Sequence, residues 1–205
     1  MAEGVHPRAA VAAGARLEAG VTVGPFAVVG PEVRLGPGCV VEPHAVLDGA
    51  VTLGPRCRVR SHVLLEGQVT AGADNVFGAG AVVGSAPQDK RYEGGPAPVV
   101  LGDGNVLREH VTVHGGTAGA TLLGSHNLLM AGVHVAHDAR IGSHCVLANG
   151  VQIAGHAVVE DYVVFGGLAG VAQLVSIGEG AFVAAGAMVE RAVPPFVIVQ
   201  GDRAR

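Results

Sequence analysis

The stretch VTVGPFAVVGPEVRLGPGCV, Val21 to Val40, decides the fold. Large apolar residues return every sixth position in it, at Val23, Val29 and Leu35, and a smaller set, Val21, Ala27, Val33 and Cys39, holds its own place in the same repeat. Gly follows the large residue in Val23-Gly24 and Leu35-Gly36, as a tight turn without a Cβ allows. A helix needs apolar spacing near 3.6 and an ordinary strand a longer alternation of two, so neither fits. Outward from this stretch the period runs from Val5 to Val83, returns at Leu101, Leu107 and Val113, slips by four residues, and continues from Leu123 to Val189. Each repeat thus offers one large and one slender apolar residue to an interior, and hexapeptide repeats of this kind signal a parallel β-helix.

The repeat resembles that of the hexapeptide-repeat transferases, in which three repeats, 18 residues, form one triangular turn. The resemblance also implies a left-handed coil, against the general right-handed preference of parallel crossovers. Residues 18 apart should then stack about 4.8 Å from one another. Cys39 and Cys57 are 18 apart, and with Cys145 they hold the small position, which makes them buried, inert thiols. Asn75 and Asn105 fall into the same register once 12 residues, Asp89 to Val100, are removed; Asn105 and Asn127 do so once four are removed. These asparagines should form an inward ladder of amides. The expectation is an all-β left-handed parallel β-helix of about ten coils over residues 1–193, with inserted loops near 88–100 and 117–122 and a C-terminal tail at 194–205.

Composition agrees. Among 205 residues are 33 Gly and 11 Pro, with 49% hydrophobic residues but only 3% aromatics, so the core must be aliphatic and thin. A formal net charge of −4 without a long basic run excludes the electrostatic footprint of a nucleic-acid binder. The opening MAEGVHPRAA lacks a basic segment followed by an apolar stretch, so the expected location is the cytosol. The apolar, uncharged run from Tyr162 to Ile177 is broken by Gly166, Gly167, Gly170 and Gln173, against a membrane span.

Histidines gather at positions 110, 114, 126, 134, 137, 144 and 156. Most belong on a solvated outer face. His134 and His137 differ because Asp138 follows directly, and a carboxylate beside an imidazole fixes its tautomer and raises its basicity. Stepping by 18 takes His137 to Gly155 and then Gln173, and Asp138 to His156. A base, a glycine N–H and two substrate-positioning side chains would thus lie on adjacent coils, a set suited to attack of a hydroxyl on a thioester.

At Asn127 to Met130, His134 to Asp138, Leu147 to Asn149, Ile153 to His156 and Val193 to Gly201 the chain resembles the UDP-N-acetylglucosamine acyltransferases of lipid A synthesis, and Gln88 to Tyr92 resembles that family's substrate loop. The resemblance implies that His137 takes a proton from the sugar 3-hydroxyl, or from a 3-amine in variant members, as that group attacks the thioester of an acyl carrier protein. It implies that Asp138 orients His137, that the Gly155 N–H holds the oxyanion, and that Gln88, Asp89, Arg91, His134, His156, Gln173, Gln200 and Gly201 bind substrate. It further implies a homotrimer with sites between solenoids, an acyl-length ruler at Ala185 that admits a medium-to-long chain, and no metal or organic cofactor.

The chain departs from the family pattern in several places. Ala172 replaces a histidine, Arg91 or Lys90 stands for a lysine, Gly115 replaces an arginine, and Asp202 replaces an asparagine near the expected diphosphate. Residue 205 falls where the family's C-terminal helical domain begins. Two rival readings remain at the level of residues. Zinc chemistry of the γ-class carbonic anhydrase kind favours a His-x4-His spacing, whereas this chain has His110-x3-His114 and His134-x2-His137. A non-catalytic scaffold is the other, since repeats alone build surfaces without chemistry.

Overall fold

The computed structural model describes residues 4–201, an all-β, left-handed parallel β-helix of about eleven turns. Most strands are only two residues long, because a hexapeptide leaves room for one inward and one outward residue before the next corner. They stack into three parallel sheets of eleven, ten and nine strands, here A, B and C. The chain passes A to B to C and back to A, so each strand pairs with the third strand before and after it. Thr22–Val23 lies on Val40–Val41 in sheet A, Val28–Val29 on Val46–Leu47 in sheet B, and Arg34–Leu35 on Thr52–Leu53 in sheet C. The 18-residue register therefore holds, with one turn more than the ten expected.

The interior is the column of repeat residues read from the sequence. Val23, Val41, Val59, Phe77, Leu107, Leu129 and Leu147 are all at most 2% exposed, and Phe77 and Phe165 are the largest side chains fully inside. Each such side chain contributes roughly 1.5–3 kcal/mol on burial. Asn75, Asn105 and Asn127 form the ladder. Asn105 Nδ2 donates to Asn75 Oδ1 at 3.0 Å, Asn127 Nδ2 to Asn105 Oδ1 at 3.0 Å, and the Cys145 N–H to Asn127 Oδ1 at 2.8 Å. All three cysteines are buried and unpaired, and burial pushes the Cys145 thiol up to about 11, which keeps it protonated and inert.

Both insertions are present, with shifted bounds. The first occupies residues 86–97, because Pro98–Leu101 already pairs with Gln68–Ala71 in sheet C. The second occupies 115–120, because Thr121–Leu123 pairs with Pro98–Leu101. In each case the apolar alternation at the end of the expected loop is strand. The tail expected from residue 194 is likewise partly coil: Ile198–Val199 pairs with Phe182–Val183, and Val193 bridges to Ile177. Among the described residues no helix is long and apolar enough to cross a membrane.

Corners decide what faces outward. Among the described residues fourteen non-glycine residues have positive φ, including His126, His144, His156 and Asp138, all near +59°, and they sit at the same place in successive corners. The residue just before that place is Pro at positions 25, 37, 43, 55 and 195. Proline has no N–H, so the corner does not need a donor there. At the corner between sheets B and C the same position is held by His137, Gly155 and Gln173, one above another.

Candidate active site

His137 and Asp138 occupy the corner that follows His134–Val135 of sheet B. Both are nearly closed to solvent, 5% and 8% exposed. His137 Nδ1 lies 2.9 Å from Asp138 Oδ2. The Nε2 edge of the imidazole lies against Gly155 of the next coil: a Cβ built there would come within 2.7 Å of ring atoms Cε1 and Nε2, so a larger residue would displace the ring. The backbone holds this stacking, because the His156 N–H donates to the His137 carbonyl at 3.0 Å. Gly155 itself stands at the proline position of the corner, so its N–H is not committed to the coil.

Asp138 is fixed by the second insertion. Oδ2 accepts from the Thr117 N–H at 2.8 Å and the Thr117 hydroxyl at 2.7 Å, and Oδ1 from the Ala118 and Gly119 N–H groups at 3.1 Å each. The Asp138 N–H donates to Thr121 Oγ1 at 2.8 Å. Burial alone would push this carboxyl up, but the hydrogen bonds from Thr117, His137 and Ala118 outweigh it and hold it well below the usual carboxylate range. Asp138 is therefore an anion that can only accept, and it selects the tautomer of His137 with hydrogen on Nδ1 and the Nε2 lone pair free.

That lone pair faces a cavity of ≈ 400 Å³ lined by Gln88, His134, His137, Gly155, Gln173, Met188 and Glu190. Asp89, from the first insertion, brings Oδ2 to 3.9 Å from His137 Nε2. Arg91 holds Asp89 with Nη2 at 2.8 Å and pulls its carboxyl well below the usual range. His134 contacts Thr112 Oγ1 through Nδ1 at 2.7 Å. Burial first, then the neighbouring His114 and His137, lower its basicity; burial and then His137 lower that of His114, against a smaller opposing pull from Glu66. A second cleft, ≈ 440 Å³, opens between the two insertions, with Asp89, Arg91, Thr117 and His156 on its walls.

His137, Asp138 and His156 also place ligand atoms within 4.8 Å of one another, a spacing a cation could use. The donor set does not fit one. Five hydrogen bonds already fall on the roughly four lone-pair sites of the Asp138 carboxylate.

Residues 14–49 and 120–155 match the family model described as bacterial transferase hexapeptide (six repeats). An acyl-[acyl-carrier-protein]–UDP-N-acetylglucosamine O-acyltransferase of Nautilia profundicola is 41% identical over 137 residues, 65% of this chain and 53% of that protein. The same enzyme of Janthinobacterium sp. (strain Marseille) is 43% identical over 135 residues, 64% of this chain and 52% of that protein. The solved structure of the UDP-N-acetylglucosamine acyltransferase from Arabidopsis is 35% identical and superposes with a TM-score of 0.96, over 98% of this chain and 72% of that one. The chain belongs to the UDP-N-acetylglucosamine acyltransferase family. It spans about half the length of the curated relatives it matches.

Of the residues singled out by the family resemblance, His137, Gly155, Gln88, His134 and Gln173 converge at one cavity, with Asp138 bonded to His137 behind it, Asp89 3.9 Å from His137 Nε2 and His156 on the adjoining coil. Ala172, where the family has histidine, lines that cavity too. Arg91 is turned to solvent, 82% exposed, and reaches the site only through Asp89. Ala185, Gln200 and Gly201 are not brought there by this chain: all three are exposed and follow strands of sheet A, Ala185 at the corner between A and B. Asp202 lies outside the described residues. Gly115, where the family has arginine, has a physical reason here, since a Cβ would strike the Ala97 carbonyl oxygen at 2.2 Å. Thr117 and Thr121 were missed by the sequence reading. Thr121 left a signal, because it places a hydroxyl in an interior column otherwise made of Val51, Val69, Val99 and Ala139. Thr117 and the loop N–H groups left none.

Proposed function

We propose that this chain, in the cytosol, transfers a 3-hydroxyacyl group from acyl carrier protein to the 3-hydroxyl of UDP-N-acetylglucosamine or a related nucleotide sugar. The observation that carries the reading is the buried His137–Asp138 pair lying over Gly155 in a chain of this family. Nε2 of His137 takes the hydroxyl proton as the oxygen attacks the thioester carbonyl. The Gly155 N–H, free by its place in the corner, donates to the oxyanion. As the tetrahedral intermediate collapses, the carbon–sulfur bond breaks and the imidazolium returns its proton to the leaving thiolate, so no external acid or base is consumed. Gln88, Asp89, His134, His156 and Gln173 position the sugar, and Arg91 acts through Asp89. Gln200 and Gly201 contribute to the nucleotide subsite and Ala185 to the acyl-length limit from a neighbouring solenoid. With Ala at that position the donor is medium to long, and turnover of short-chain donors alone would contradict this.

A homotrimer follows from the same reading. The outer face of sheet A is an apolar column, including Val106, Leu128, Val146, Val164, Phe182 and Ile198 on successive coils. Phe182 is 41% and Ile198 72% exposed in the single chain. Such a stripe needs a partner surface, and threefold packing of solenoids supplies one.

The test is acyl transfer from 3-hydroxyacyl carrier protein to UDP-N-acetylglucosamine, followed by mass spectrometry, for the wild type and His137→Ala. Turnover that disappears in the variant supports the assignment. A folded trimer with no turnover rejects the acceptor and favours the scaffold reading.

A further inference from the structure

Residues 115–120, which lengthen the repeat between Val113 and Thr121 by four residues, do not extend a sheet. They form a loop whose N–H groups at three consecutive residues, 117 to 119, all point to one carboxylate, joined by the Thr117 hydroxyl. Its approach is tight. A Cβ on Gly116 would lie 2.4 Å from the Gly119 carbonyl oxygen and 2.9 Å from Asp138 Oδ1. Gly115 and Gly116 tie the loop to the rest of the coil through the Ser85 and Pro98 carbonyls. A loop this confined, with its donors converging on a buried anion, is an anion nest built for an internal side chain.

Its consequence is chemical. A buried carboxyl without these donors would be driven toward its neutral form. A neutral Asp138 could donate to Nδ1 of His137, which would put the imidazole hydrogen on Nε2 and remove the base from the cavity. We infer that the 115–120 loop is the tautomer lock of the site and that Thr117 is a positioning residue, acting on His137 through Asp138. The inference rests on the acyltransfer reading for its kinetic consequence, though not for its structural one. Other groups facing the imidazole are Asp89 with its partner Arg91 from the first insertion, His156 from the next coil, and His114 and His134 from sheet B. Thr117 variants leave all of them in place.

The experiment uses the full chain as wild type, Thr117→Val and Thr117→Ser. With histidine labelled by ¹⁵N and ¹³C, and the His137 signals assigned by their loss in His137→Gln, the tautomer of that ring is read directly. The wild type is expected to show hydrogen on Nδ1. In Thr117→Val the Asp138 carboxylate loses one of its donors, and the His137 tautomer is expected to shift toward hydrogen on Nε2. In parallel, kcat falls roughly tenfold with KM within about twofold, and Thr117→Ser restores both the tautomer and the rate. A Thr117→Val protein with wild-type tautomer and kcat overturns the inference, as does a folded Thr117→Ser that fails to recover. If the wild type shows no acyl transfer, the functional reading fails while the nuclear magnetic resonance comparison still decides the lock. Should Thr117→Val not fold, Thr117→Ala removes the same hydroxyl with less bulk and is read by the same criteria.

Discussion

Histidine rings meet across coils at more than one corner of this solenoid, and only the corner from sheet B to sheet C builds a site. Where sheet C returns to sheet A, His126, His144 and Tyr162 lie ring on ring, with centroids 5.2 and 5.0 Å apart and planes within 22° and 5° of parallel. Where sheet B passes to sheet C, His137 and His156 have the same 5.2 Å spacing but stand edge to face at 88°. Corner geometry is common to both, since His126, His144, His156 and Asp138 share a φ near +59°. The difference is one residue of register. A histidine at the left-handed position projects outward and stacks on its neighbour one coil away. His137 stands one residue earlier, at the proline position, turns against the coil and meets a carboxylate. Histidine content along the chain therefore says little, and register within the hexapeptide says much.

The sharpest way to break this contrast is His137→Ala. Loss of a general base is expected to lower acyl transfer by about 10²–10⁴-fold, measured as kcat/KM with saturating carrier protein. A smaller loss would mean that proton removal is not the role of this ring. Next in size is Gly155→Ala. The new Cβ would lie 2.7 Å from the His137 ring, against backbone-anchored neighbours, so the imidazole must shift. A displacement near 1 Å costs on the order of 10²-fold in rate. Gly150→Ala, at another corner, is the counterpart. Its Cβ meets only the mobile end of Leu168, while its φ of +71° makes the substitution strained. It should cost about 1 kcal/mol of stability by denaturant melt and leave the rate within about twofold.

How far the site was legible follows the same line. Strict spacing of 18 predicted that His137, Gly155 and Gln173 would stack, that Asp138 would lie below His156, and that three asparagines would align inside. Side chains at fixed repeat positions leave such a mark because the backbone repeats. The bounds of the insertions were read a few residues late, since Pro98 to Val100 and Thr121 to Leu122 look like loop until their sheet partners are known. The nest around Asp138 was invisible because its donors are mostly backbone N–H groups, which every residue but proline carries. Ala185, Gln200 and Gly201 show the opposite limit: a resemblance names them, but no register argument brings them to His137 within one chain.

Acidification separates the buried site from the exposed stack. His114 and His134 have lowered basicity in the fold, so below their ordinary value, near 6.5, the unfolded chain binds protons that the native state refuses. Their stabilising contribution is complete above pH 6.5 and is lost as pH falls from there toward their lowered values. Asp138, also depressed, adds a second loss only below its ordinary value near 3.8. The thermal midpoint should therefore decline between pH 7 and pH 5. It should decline less in His134→Gln, which removes one of the two imidazoles. An equal decline in both proteins would place the responsible groups elsewhere.

The smallest effect is expected at the exposed stack itself. His144 touches His126 on one side and Tyr162 on the other, and an aromatic contact is worth about 0.5–1.5 kcal/mol when well packed. Here all three rings face solvent, so the lower end of that range applies. His144 also holds a positive φ of 60°, which alanine tolerates no better than histidine. His144→Ala should then lower stability by less than about 1 kcal/mol and leave acyl transfer within about twofold. A larger rate loss would mean that this corner, too, feeds the site, and the one-residue register rule would have to be replaced by one that counts ring stacks.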